Sequence, residues 1–404
     1  MTDPAPTRPG HPLEVLAAFL KLGLTSFGGP VAHLGFFRTE FVQRRGWLDD
    51  ARYADLVALC QFLPGPASSQ VGMALGLQRA GWLGALMAWI GFTLPSALAL
   101  VVFALGVAGH PGLAASGAVQ GLKVVAVAVV AQAVWAMARA LCPDLPRAAL
   151  AIAAAVLALT LPMALAQVGA IAACGLLGWR LLAPTAAAGG TAGAPVGPRA
   201  GAVALALFVL LLAGLPLLAL LQPGGPWGLL DAFYRAGALV FGGGHVVLPL
   251  LQASLVPAGW VDTPGFLAGY GAAQAVPGPL FSVAAYLGAI VPAQAGVWPG
   301  GWAGGLLALV LIFLPGFLLV VGVLPFWARW RGRAGVRAAV AGINAGVVGL
   351  LLAALVGPVW GGAIHGLVEF GLALAAFGLL AWGRVSPLWV VLMGALAGAA
   401  LGLA

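Results

Sequence analysis

The sequence predicts an all-α polytopic membrane protein made of two inverted-topology repeats. Each repeat is expected to hold two broken, re-entrant helical units and about four crossing helices. Three observations predict this. The chain is 62% hydrophobic and only 7% charged, whereas soluble domains carry about 25% charged residues. Its halves repeat one another: AAFLKLGLTSFGGP (residues 17–30) returns as DAFYRAGALVFGGG (231–244), and QFLPGP (61–66) returns as QAVPGP (274–279). GWLDD (46–50), GFTLPS (91–96) and GLKVVAV (121–127) return as GWVDT (259–263), IFLPGF (312–317) and GINAGVV (342–348). Finally, both halves are interrupted by Gly and Pro at matching places. Apolar segments broken at corresponding points of two halves point to a secondary transporter, with its site where the breaks face each other.

The first repeat is expected over residues 13–182. Segments 13–27 and 31–42 flank GGP, segments 52–63 and 67–77 flank PGP, and apolar runs continue at 82–108, 116–140, 148–165 and 167–182. Residues 183–201, APTAAAGGTAGAPVGPRAG, read as a flexible linker of small residues. An extra apolar segment at 202–221 has no counterpart and inverts the second repeat relative to the first. The second repeat, 227–403, carries its breaks at 242–244 and 277–279 and its apolar runs at 302–327, 336–356, 362–382 and 387–403. Several runs lie near the lower limit of about 17 residues for a crossing helix.

Charge supports the re-entrant arrangement. If each broken unit returns to its own side, fifteen of the 18 Lys and Arg residues share one face, leaving out only Lys21, Lys123 and Arg235. The positive-inside rule makes that face cytoplasmic and puts the N-terminus inside. If every broken unit crossed once, the loop bearing Arg44 and Arg45 would oppose the one bearing Arg147 and the bias would be lost. Crossing in pairs stays open as an alternative.

Several classes are disfavoured. The polar, Pro-rich start lacks the basic and apolar regions of a signal peptide. Cys60, Cys142 and Cys174 have no paired spacing and read as buried small hydrophobes. The net charge of +8 does not indicate nucleic acid, because the basic residues are not clustered with stacking aromatics. No Walker A, dinucleotide-binding glycine motif, HExxH or CxxC is present, so no cofactor or metal is expected and an ion gradient is the expected energy source.

The chemistry is expected to centre on the breaks. Lys21 and Arg235 lie six residues before Phe27 and Phe241 of the two FGG motifs. Charge inside an apolar segment costs at least about 2.5 kcal/mol and usually marks a pathway. A matched pair of cations would make an anion site, the alternative being that each snorkels to the headgroups. Gly28, Gly29, Gly65, Gly242, Gly243 and Gly278 open the helices, and the freed N–H groups and positive helix ends suit an oxyanion. Thr25, Ser26, Ser68, Ser69 and Ser282 offer hydroxyls beside them. Lys123 is a third candidate cation, with Asn344 as its counterpart. Gln61 and Gln274 are matched neutral hydrogen-bonders, suited to ligand contact or to an interhelical bond. His33, His245, Glu40 and Glu369 are candidates for proton coupling, and Asp55 and Asp231 are further acids near membrane segments. RWRGRAGVR (329–337) reads as a topology determinant. Trp47 and Trp260, matched beside Asp49 and Asp262, read as interfacial anchors.

The stretches FGGPVAHLGFFRTEFV, GWLDDARYADLVALCQFLPGPASSQVGMALG, FGGGHVVLPLL and AQAVPGPLFSVAAYLGA resemble the chromate ion transporter family of bacterial inner membranes, in its long, two-domain form. The resemblance covers nearly the whole chain except the first dozen residues and the linker. It implies proton-motive-force-driven efflux of chromate, on a route shared with sulfate, conferring chromate resistance. The family's motif residues map to 27–30, 61–66, 241–244 and 274–279. Asn344 standing where the first half has Lys123 implies an asymmetric site. From the residues alone the reading reaches an anion transporter in a lipid bilayer; chromate comes from the resemblance. A sulfate or other oxyanion carrier, a passive channel and a membrane-embedded enzyme acting on lipid or quinone are the alternatives, and a homodimer stays open. An enzyme would need a cluster of catalytic groups near one interface, whereas the acids here are scattered.

Overall fold

The computed structural model of the chain describes residues 10–27, 29–109, 117–161, 164–182, 196–240, 247–330, 333–383 and 385–402. Gly28 and residues 241–246, which include Gly242, Gly243 and His245, lie outside them. The described residues are almost entirely helical, with one isolated bridge between Gln294 and Trp298.

In the first half, α1 (Pro12–Thr25), α2 (Gly29–Phe37), α3 (Asp50–Phe62), α4 (Ala67–Gly109), α5 (Gly117–Leu141), α6 (Leu145–Thr160) and α7 (Ala164–Leu181) come in order. A π-helical stretch, Arg38–Arg44, extends α2. The connecting helix α8 spans Pro198–Leu221. The second half repeats the series as α9 (Trp227–Leu239), α10 (Val247–Leu255), α11 (Thr263–Ala275), α12 (Val283–Ile290), α13 (Gly301–Val323), α14 (Ala334–Ala354), α15 (Leu367–Ala381) and α16 (Pro387–Ala400). Among the described residues, five stretches are long and apolar enough to cross a membrane: Ala67–Gly109, Gly117–Leu141, Pro198–Leu221, Gly301–Phe326 and Ala334–Gly357. The chain is a multi-pass membrane protein.

Local signals explain most boundaries. Asp49 and Asp262 cap α3 and α11, accepting from Arg52 N (2.7 Å) and Gly265 N (2.9 Å); the matched GWLDD and GWVDT motifs are therefore helix starts. Among the boundaries that differ from the hydropathy pattern, three illustrate local causes. α8 begins at Pro198, not 202, because a proline at the first turn starts a helix readily. α6 stops at Thr160 rather than 165, since Leu161 precedes a proline and is pushed out of the helical region. α15 begins only at Leu367, after the turn near Gly366.

At 43 residues, α4 would be about 65 Å long if straight, twice the hydrocarbon thickness. It is kinked instead at Ala80 and Gly81, where Gly81 has φ +64°. Its two arms fold back so that a Cβ on Gly76 would collide with the carbonyl of Gly84; Gly288 and Gly304 meet the same way in the second half.

The halves interlock. α5 packs on α15 and α16, while α14 packs on α6 and α7, so each half's last two helices lie against the other half. Small residues permit this close approach: a Cβ on Gly121 would strike the carbonyl of Gly394, and one on Gly342 that of Cys174. Gly342→Leu is therefore expected to destabilise the protein by about 1–3 kcal/mol through overpacking, read as a lower melting temperature of the purified protein. An unchanged melting temperature would contradict this packing.

Candidate functional site

Each break is a place where one helix ends and another begins. α1 ends at Thr25 with Ser26 extended, and α2 starts at Gly29. α3 ends at Phe62 before α4 starts at Ala67, and α11 ends at Ala275 before the 3-10 turn Leu280–Ser282 leads into α12. Pro64, Pro66, Pro277 and Pro279 withhold their N–H groups and prevent a continuous helix. The first amides of each new helix are left without intrahelical partners.

The breaks are joined across the halves. Gly278 N–H donates to Ser26 O (3.0 Å), and Gly65 N–H donates to Val240 O (2.6 Å). Ser26 and Val240 are equivalent, each directly preceding an FGG motif, and Gly65 and Gly278 are the central residues of the two PGP motifs. Each PGP loop is thus held by the other half's FGG segment. Both glycines have positive φ, +121° and +103°, and each lies close to the residue after the opposite half's helix proline: Gly65 to Gly316, Gly278 to Ser96.

Side chains hold the two crossings differently. Gln70 Nε2 donates to Pro64 O (2.8 Å) and Gly316 O (3.3 Å). At the other crossing, Ser282 Oγ donates to Pro279 O (2.6 Å) and pairs with Ser96 Oγ (2.6 Å). Ser26 is fully buried, and its carbonyl also meets His33 Nε2 at 3.2 Å. A carbonyl only accepts, so Nε2 carries the proton, and Nδ1 accepts from Ser68 Oγ (3.4 Å). The ring stands edge-on to Phe92.

A cavity of about 70 Å³ opens where the first FGG meets the second PGP. Gly29 and Pro30, at the start of α2, line it with Gln274 and Gly278 of the second half and with Val129 and Gln132 of α5. The side chains lining it are uncharged. Gln274 Nε2 has no hydrogen-bond partner, and neither do Ser26 Oγ, Ser69 Oγ, Gln70 Oε1, Thr93 Oγ1 or Asn344 Oδ1. Buried polar atoms are ordinarily paired, so Gln274 Nε2 in the cavity lining is a donor left free for a ligand.

The matched cations are engaged within their own halves. Lys21 Nζ pairs with Glu40 (3.1 Å) and leaves half its side chain exposed, at 51%. Arg235 pairs with Asp231 on its own helix through Nε (3.1 Å) and Nη2. Neither Lys21 nor Arg235 lines the cavity. Each of the two matched cations is thus neutralised by a carboxylate of its own half. Glu40 also takes Arg44 (3.3 Å) and Arg45 (2.9 Å). Glu14 binds Arg79 (3.2 Å) and accepts from Trp47 Nε1 (3.2 Å). Trp47 therefore belongs to an ionic cluster joining α1, α2 and α4. Nearby, Arg38 of the π-helical stretch donates to Asp50 at the start of α3 (2.7 Å) and holds its carboxyl below the usual carboxylate range.

Lys123 is buried on α5, and Asn344 occupies the matching place on α14. Gln61 is exposed, unlike Gln274. Asp55 accepts from Trp327 Nε1 (3.1 Å), tying α3 to the second half. Glu369 sits in the first turn of α15, where a carboxylate complements the helix dipole. Sequence reasoning missed Gln132, Gln70 and Ser96: Ser96 ends the duplicated GFTLPS and Gln70 follows the first PGP, yet neither side chain is marked out within its stretch. Gln132 stands alone in AVVAQAVWA, and only its polarity within an apolar helix marks it.

A family model described as "Chromate transporter" matches residues 13–179 and again 227–399. The chain belongs to the chromate transporter family. Among its relatives, the chromate transport protein of Pseudomonas aeruginosa is 29% identical over 372 residues, covering 87% of this chain and 81% of that protein. The probable chromate transport protein of Synechococcus elongatus is 27% identical over 370 residues, covering 86% of this chain and 85% of that protein. The chromate transport protein of Cupriavidus metallidurans is 27% identical over 357 residues, covering 87% and 83%. No solved structure matches the chain significantly. As in the family model's double match, the two halves of this transporter each contribute one FGG and one PGP segment.

Proposed function

We propose that this member of the chromate transporter family is a secondary carrier that exports chromate across the bacterial inner membrane. Its N-terminus is cytoplasmic, sulfate competes for the route, and the proton gradient drives export. The observation that supports this reading best is the crossed pair of main-chain hydrogen bonds, Gly278 to Ser26 and Gly65 to Val240. It ties broken helix ends of the two halves together, and the Gly278 crossing borders the junction cavity, an arrangement suited to alternating access between two repeats.

In this reading the anion sits at the start of α2. The freed amides there, Gln274 Nε2 and Gln132 supply neutral donors, while Lys123 and the matched Lys21 and Arg235 supply the attracting field. Ser68, Ser69, Ser282 and Asn344 line the route, and His33 is the coupling candidate bonded directly to a break. Chromate and sulfate are tetrahedral dianions of similar size, so such a cradle accepts either. Membership of a transporter family supports a carrier over a membrane-embedded enzyme.

The test is chromate uptake into inverted membrane vesicles, with and without an imposed proton gradient, and with excess sulfate. Gradient-dependent uptake that sulfate suppresses is the expected result. Equilibration without any uphill accumulation would make the protein a passive channel and overturn the proposal.

A further inference from the structure

A second cavity, of about 320 Å³, lies away from the breaks, between α6 of the first half and α10 and α14 of the second. It shares no lining residue with the junction cavity. Its walls are formed by apolar side chains such as Leu159, Pro249, Val256 and Leu350, and its polar side chains are Gln252 and Thr263. Gln252 is only 4% exposed, yet neither its Oε1 nor its Nε2 has a hydrogen-bond partner. A buried amide unpaired at both ends is costly and uncommon.

We propose that this cavity is a binding site for an uncharged amphiphile that carries a hydroxyl group and enters from the bilayer. The hydroxyl accepts from Gln252 Nε2 and donates to Oε1, satisfying both ends at once. Two other occupants fit less well. A single water could pair with the amide, but it would leave most of this largely apolar volume of about 320 Å³ unfilled. An anion would find no cation among the lining side chains. Access is lateral: Leu159 on the rim is 49% exposed, and in a multi-pass protein such a surface faces lipid. The depth also fits. Pro257 and Thr263 of the lining bracket Trp260, a residue type that marks the headgroup level where amphiphile hydroxyls reside. An occupant would bridge the two halves and stabilise their contact.

The experiment uses the full chain in lipid nanodiscs with a photoreactive diazirine-bearing octanol as probe, and cross-links are mapped by peptide mass spectrometry. Labelling is expected on α10 and on the end of α14. Octanol should compete about tenfold better than octane, the ratio a neutral hydrogen bond supports. Gln252→Leu should remove that preference, and Ala354→Phe, which fills the cavity from α14, should remove labelling. Equal competition by octane and octanol, or an absence of labelling at this site in the unaltered protein, would overturn the proposal. The competition needs no variant, so a misfolded variant leaves the result decisive. Because the readout is labelling rather than flux, failure here leaves the transport reading untouched, and the reverse holds as well.

Discussion

Replacing Gln274 with leucine is expected to lower chromate flux about tenfold or more, while the same change at Gln61 leaves it within about twofold. A hydrogen bond to a charged partner contributes about 1.5–3 kcal/mol, and each 1.4 kcal/mol is a factor of ten. Gln274 lines the junction cavity with its Nε2 unpartnered, so an anion entering there gains that donor directly. Gln61, its sequence counterpart, is exposed and has no place in the lining. Initial rates in vesicles, normalised to the amount of protein in the membrane, measure the contrast. Equal losses at the two positions would mean that both glutamines serve the anion alike, against the one-sided cavity.

Gly278→Val and Gly65→Val are each expected to abolish flux. Both positions need φ far into the positive region, which a β-branched residue adopts at a cost of about 1–3 kcal/mol. Space is lacking too. A Cβ at Gly278 would lie 3.1 Å from both Phe92 O and Ser96 Oγ, and one at Gly65 would lie 2.9 Å from Gln70 Nε2. The loop must then shift and lose the main-chain bond that carries it across to the other half, a further loss of about 0.5–1.5 kcal/mol. Gly106→Ala is the matched control, since that glycine has open space around it and no positive φ. Wild-type flux in either valine variant would show that the crossed bonds are not needed for transport.

The two expectations differ in how far sequence could have supplied them. That Gly65 and Gly278 matter is legible in the duplicated PGP motif, because Gly and Pro dictate backbone geometry wherever they stand. That Gln274 differs from Gln61 is not, because as residues they are interchangeable. The same division runs through the molecule. The apolar runs became helices with only end shifts, and Asp49 and Asp262 became matched caps. These outcomes depend on neighbours a few residues away. Lys21 and Arg235, by contrast, look like one symmetric pair in the sequence and meet different carboxylates, Glu40 on the stretch after α2 and Asp231 on α9. Gln132 entered the cavity wall from a helix that carries neither motif.

By itself, then, the sequence determined the membrane class, the duplication, the family and the positions of the breaks, since composition, hydropathy and Gly/Pro geometry are local properties of the chain. Only the tertiary structure decided that each PGP loop binds the opposite half's FGG segment, and which polar groups share a cavity as a result. Those pairings depend on small residues letting helices more than two hundred positions apart touch, as Gly121 meets Gly394. Close packing of distant surfaces leaves no mark on the neighbours along the chain.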